Sequence, residues 1–343
     1  MPRILGTGLI ALDLIVEHYD THQALLVGGG GTCGNVLAIL ARAGWNAHLI
    51  GALDHSVWSD ILLSDLEHLG VSTEGFVREP DAAPSLIVEH LERSEGSEGH
   101  HWFSLVCPRC HSDWPGLRAT PDAVVRQSSA AAAGQDVVFV DRLSAGVMEL
   151  VHQAKHQGSL IVYEPSSKHD RPWIQEMLAL ADIVKYSAER ADALGVAETS
   201  IIADLVVVTD GAQGVRWRAG GHVGTWRHRP ADSTARVVDT CGAGDWFTAG
   251  LLLALFGQSL APEPQFAEPT VFEAIANASS LAAWSCGFVG ARGALYDAPA
   301  FELSRQIHFA APPHGGDSDH WPQLRRPALP EADCQALATI CGV

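Results

Sequence analysis

The 343 residues can bury a large core, as one big α/β domain or two smaller ones. Twenty-two Lys and Arg against 40 Asp and Glu leave a net charge of -18, which opposes contact with a nucleic-acid backbone or an anionic membrane. Seven scattered cysteines, an odd number, do not resemble a disulfide framework, and the longest apolar run, 247–256, is far short of the roughly 20 residues a membrane span needs. The expectation is a soluble protein of the reducing cytoplasm.

In chain order, an opening strand at 3–5 runs into Gly6-Thr-Gly8-Leu-Ile-Ala11, a G-x-G-x-x-A pattern. The apolar run 25–27 precedes Gly29-Gly-Gly31-Thr-Cys-Gly34 and a helix, with Asp54 further on; on spacing alone this is a dinucleotide fingerprint. Short apolar runs then recur at 47–53, 137–140, 160–163, 182–186 and 205–209 with helix-like stretches between them. That alternation predicts a mostly parallel sheet covered by helices on both faces. Two regions break it. Residues 85–105 read as two strands around a polar Ser-Glu-Gly turn, a hairpin projecting as a lid. The stretch after 309 is rich in Pro, Gly, Asp and His without periodicity, and is expected to be an extended appendage ending in a short helix from about Glu331.

A third glycine-rich segment, residues 237–257, carries the chemistry. Gly242, Ala243 and Gly244 present backbone N–H groups, and the apolar helix that begins near Asp245 aims its positive end at the same spot. A carboxylate in the first turn of a plain anion site would repel the anion. Beside a transferring phosphoryl group it is placed to take the proton from the attacking hydroxyl. The bland alternative is a helix cap.

Asp239-Thr-Cys-Gly-Ala-Gly-Asp245 resembles the C-terminal signature of the ribokinase (PfkB-type) carbohydrate kinase family, D-T-x-G-A-G-D. Gly30-Gly31-Thr-Cys-Gly-Asn35, before a helix ending in Ala-Arg-x-Gly, resembles that family's G-G-x-x-x-N signature. The resemblance spans about residues 4–300. It implies a three-layer α/β/α sandwich over 1–310, with lid strands inserted at about 84–106 and a C-terminal extension at 311–343. It implies an ATP- and Mg²⁺-dependent kinase acting on a hydroxyl of a sugar or nucleoside. Asp245 would be the base and the 242–244 amides the anion hole. Asp13, Gly30, Gly31 and Asn35 would hold the acceptor. Lys185, Ser187, Thr209, Gly211, Gly214 and Asn277 would line the nucleotide side. By the same resemblance, Asp239 and the Cys241 carbonyl would hold a monovalent cation such as K⁺, and the lid would pair two subunits in a homodimer.

Two departures stand out. Where the family has N-x-x-E, this chain has Ser187-Ala-Glu189-Arg190, and the family's D-x-N-x-R region appears as Glu164-Pro165-Ser166 with Arg171 following. Cys107-Pro-Arg-Cys110-His111 suits two ordinary thiols, with structural zinc as the alternative. Rival functions are a non-catalytic ligand-binding regulator, suggested by the altered 187–190 segment, and an NAD-dependent oxidoreductase built on 29–34.

Overall fold

The computed structural model describes residues 1–19, 22–92, 100–107, 111, 113–114, 116–117, 119–166, 170–191, 195, 197–221, 224–232, 237–257, 266–310 and 322–327. The strands are β1 (Arg3–Thr7), β2 (Ala11–Tyr19), β3 (His22–Gly30), β4 (Asn46–Leu53), β5 (Ser72–Arg78), β6 (Ser85–Glu92) and β7 (His100–Ser104). They continue as β8 (Val137–Val140), β9 (Leu160–Tyr163), β10 (Ile183–Ser187), β11 (Leu205–Thr209), β12 (Val215–Ala219) and β13 (Arg227–Arg229). The recurring runs at 47–53, 137–140, 160–163, 182–186 and 205–209 are β4, β8, β9, β10 and β11, within a residue at their ends, while the runs at 3–5 and 25–27 extend further, into β1 and β3.

Strands such as Val-Val-Phe-Val and Leu-Ile-Val-Tyr have no polar face and need cover on both sides. They obtain it in a nine-stranded sheet of order β13-β12-β11-β10-β9-β8-β1-β4-β5, parallel from β11 to β5 with two antiparallel strands at one edge. Alternate residues feed two cores. Val137 and Phe139 join the apolar faces of α1 (Thr32–Arg42) and α2 (Val57–His68). Val138 and Val140 join α3 (Asp122–Gln127), α4 (Ala145–His156) and α5 (Ile174–Leu180). The first layer also contains α6 (Ala243–Phe256) and α7 (Glu268–Ser285); α6 is apolar on nearly every side and correspondingly buried. Two shorter helices follow, α8 (Gly293–Asp297) and α9 (Ala300–Ala310). Among the described residues no helix is long and apolar enough to cross a membrane.

The lid is larger than the sequence suggested. It is a separate four-stranded sheet of order β3-β2-β6-β7, so the expected hairpin β6/β7 is joined by a second hairpin from residues 11–30. An isolated two-stranded ribbon is marginal in water, and the second hairpin supplies the missing width. Leu12, Leu14, Leu86 and Val88 turn to the core, while Asp13, Ile87, His101 and Phe103 turn to the cleft beneath. Gly29 and Gly30 therefore lie within a lid strand, not in the turn from a parallel strand to its crossover helix. The dinucleotide fingerprint lacks the context it requires.

Part of the tail docks. Leu324 is buried, Gln323 donates to the carbonyls of Tyr296 and Ala298, and Arg326 pairs with Asp297. The helix expected from Glu331 lies outside the described residues.

Candidate active site

A cleft of about 1030 Å³ opens between the lid and the carboxyl ends of the parallel strands, where ligands bind in open α/β sheets. Gly242 ends the loop that enters α6. Its φ of +74° is costly for any side chain, and a Cβ there would lie 2.6 Å from the Ala291 Cα. Only glycine lets the loop pass so close to residue 291. The first helical residues then bring Ala243, Gly244 and Asp245 to the cleft, while Trp246 anchors the turn by donating its indole N–H to the Ala291 carbonyl at 2.9 Å.

Asp245 is only 8 % exposed. One of its oxygens accepts an amide N–H from Asn35 of α1 at 2.6 Å. Burial pushes its acid up to about 6, with the Glu164 charge adding to the rise; the Asn35 hydrogen bond, Lys185 and Arg190 pull the other way. A carboxylate poised there is ionised at neutral pH yet basic enough to accept a proton.

Behind the loop, Lys185 of β10 donates to Glu164 at 2.5 Å and to the Gly244 carbonyl at 3.0 Å. Thr248 donates to the other Glu164 oxygen at 2.8 Å. This network fixes the first turn of α6 from below. On the lid side, Asp13 is buried beside Gly30, where a Cβ would lie 2.1 Å from the Asp13 carboxylate. Burial pushes the Asp13 acid up to about 7, against the opposing pull of Arg292.

Asp239 does not line the cleft; it stands behind it as a clasp. Its carboxylate accepts N–H groups from Cys241 at 2.9 Å and Gly290 at 2.6 Å, joining the anion loop to the segment after α7. His101 of the lid lies 3.3 Å from the same carboxylate and 3.1 Å from the Thr240 hydroxyl, so the lid rests on this loop. Glu89 of β6 is fully buried beside Asp239, and burial, with the Asp239 charge, pushes its acid up to about 10.

Most of the expected residues converge. Asp13, Gly31 and Asn35 line one half of the cleft; Lys185, Ser187, Thr209, Gly211 and Gly214 line the other; Cys241 and residues 242–245 lie between. Gly30 lies just behind the lining, against Asp13, and Asp239 behind the loop; Asn277 is set apart from the cleft. The cleft-facing residues of α7 include Ser279, Ala282 and Ala283, which form one helical stripe, and two residues before Ser279 is the opposite side of a helix. Arg171 is exposed and away from the cleft. Cys107 is fully buried, but Cys110 lies outside the described residues. Sequence reasoning missed Arg142, Arg292 and Asp65, because none belongs to a local motif.

A buried carboxylate at a glycine-rich helix N-terminus, facing a lidded crevice at the strand ends, defines a site for phosphoryl transfer to a small molecule. The chain belongs to the pfkB family of carbohydrate kinases, matching it over residues 1–297. It is 26% identical over 284 residues to a fructokinase of Vibrio alginolyticus, covering 74% of this chain and 84% of that protein. Its fold is similar to that of a fructokinase with bound ATP from Xylella fastidiosa (TM-score 0.64, 21% identity, 84% of this chain and 93% of that one). It is similar also to a Burkholderia thailandensis nucleoside kinase in complex with inosine (TM-score 0.64, 18% identity, 90% and 96%).

Proposed function

We propose that this kinase transfers the γ-phosphoryl group of ATP to a hydroxyl of a sugar or sugar-like acceptor, with Asp245 as the base. The observation that carries this reading is the placement of Asp245: buried, hydrogen-bonded to Asn35, and in the same turn as the 242–244 amides. The acceptor lies between Asp13 and Asn35 and presents a hydroxyl to Asp245. As that oxygen bonds to phosphorus, its proton passes to the Asp245 carboxylate and the bond to the ADP oxygen breaks. The Gly242 and Gly244 amides and the end of α6 stabilise charge on the moving phosphoryl oxygens, while the Ala243 N–H closes the loop on the Thr240 carbonyl at 3.2 Å. Lys185, tied to Glu164, holds the loop and adds positive charge.

Nucleotide phosphates run toward Thr209, Gly211 and Gly214. Glu164 is engaged by Lys185 and Thr248, so Glu189 is the carboxylate on this side of the cleft that would hold Mg²⁺, which would neutralise phosphate charge when it arrives with ATP. The Asp239 oxygens keep lone pairs beyond their two N–H bonds, and with the Cys241 carbonyl they suit a monovalent cation that would stiffen the anion loop. A homodimer through the lid accords with the exposure of Trp102 and Phe103.

The test is ATP consumption by the purified protein over a panel of sugars, sugar acids, sugar phosphates and nucleosides with Mg²⁺. Turnover with at least one acceptor is expected. Binding of acceptors without ATP turnover would favour the regulatory alternative.

A further inference from the structure

Arg142 is a buried cation that no hydrogen-bonded counter-charge holds among the described residues. It follows β8, the strand beside β1, is only 7 % exposed, and lines the cleft. Its Nε has no hydrogen-bond partner, and the residue enters no ion pair among the described residues. The other buried cations of the site are satisfied: Lys185 by Glu164, and Arg292 by Asp65 and Asn35. Asp141, next in the chain, is a poor substitute. One of its oxygens accepts the Leu9 N–H at 2.8 Å, the other has no hydrogen-bond partner, and burial pushes its acid up to about 7 in spite of the pull of the Arg142 charge, so the two attract without a hydrogen bond between them. A guanidinium does not shed its proton, so burying one without a partner is costly unless whatever fills the cleft supplies the anion.

Position decides which ligand that is. The turn 209–214 closes β11, three strands from β8, which at a strand spacing of about 4.8 Å is about 14 Å away. Arg142 lies instead on the β1 side, in the half of the cleft lined by Leu9, Asp13 and Asn35. That half holds several carboxylates and one guanidinium, opposed only by Asp141 and bonded by none of them. A planar monoanion that takes the guanidinium fork side-on suits it, whereas a phosphate dianion would meet Asp13 and Asp245 with more charge than Arg142 can offset.

We propose that Arg142 is the anion subsite of the acceptor pocket and that the acceptor is a sugar acid, its carboxylate held by Arg142 and its hydroxyls by Asp13 and Asn35. This rests on the kinase reading and narrows its substrate class.

The experiment compares kcat/KM for matched neutral sugars, sugar acids and sugar monophosphates in the wild type, Arg142→Lys and Arg142→Gln. The wild type is expected to favour a sugar acid over its neutral counterpart by about 30-fold or more, the scale of a charge-assisted contact. In Arg142→Gln that preference falls to within about 3-fold, chiefly through the KM of the acid, with the KM of ATP little changed; Arg142→Lys is intermediate. A wild-type preference for neutral sugars overturns the proposal, as does equal loss on both acceptor classes or a rise in the KM of ATP instead. Preference for a monophosphate overturns the carboxylate assignment. If no acceptor is turned over, the kinase reading fails separately. Thermal stabilisation of the wild type by gluconate, lost in Arg142→Gln, then still supports the subsite, and no stabilisation refutes it. Should Arg142→Gln fail to fold, the wild-type preference decides alone.

Discussion

The Arg292 Nε donates to the Asn35 side-chain oxygen at 2.8 Å, and this leaves the Asn35 amide only its N–H groups to offer Asp245. Arg292 is itself held by Asp65 at 2.7 Å, and Tyr296 donates to the same carboxylate. Three side chains from α2, α8 and the turn before it thus set the orientation of a residue of α1 and, through it, the carboxylate on α6. Arg292 reaches Asp245, the proposed base, through Asn35, which would make it a positioning residue.

Truncating this cation should unfold part of that arrangement. Arg292→Met leaves Asp65 charged and unpaired in the core and is expected to cost about 3–5 kcal/mol, read from denaturant midpoints. Adding Asp65→Asn in the same chain should recover part of the loss. If the double variant is no more stable than Arg292→Met, the buried pair is not the source of the cost.

The same geometry makes activity depend on pH. Asp245 and Asp13 hold their protons up to about 6 and about 7, well above ordinary aspartates, because burial disfavours their charged forms. A raised acid must lose its proton before it can serve as base or hold the acceptor hydroxyls as a carboxylate, so kcat/KM should climb as pH rises through about 5 to about 8 and level off above. A flat profile over that range contradicts the assignment.

Gly242 offers a test of the anion hole that leaves every polar side chain in place. Gly242→Ala puts a methyl group against Ala291 at a positive φ and must displace the amides of the loop. A fall in kcat of about 100-fold or more is expected, the scale of losing one such donor, with the circular dichroism of the fold retained. Wild-type kcat in this variant would remove these amides from the mechanism.

Much of this was legible in the sequence. The parallel sheet could be read because fully buried strands are apolar without alternation, and Asp245, Asn35 and Gly242 to Gly244 could be singled out because they fall in two short segments that resemble family signatures, although the contact that joins Asn35 to Asp245 spans the chain. The four-stranded lid was not readable: residues 11–16 are as apolar as the central strands, and nothing local says that they leave the main sheet. Asn277 failed for a related reason, since the face a helix presents is set by what packs around it. Asp65 and Arg292 act through contacts across more than two hundred residues of chain, and such pairs leave no spacing to recognise; Arg142 sits in no local motif at all.

The central claim is that Asp245 takes the acceptor proton. Asp245→Asn keeps the shape of the residue and an oxygen for the Asn35 amide, so the variant should fold and bind ATP as the wild type does. With the best acceptor of the panel and saturating MgATP, its kcat is expected to fall by about 10²–10⁴-fold. Equal turnover in the two proteins would contradict the account.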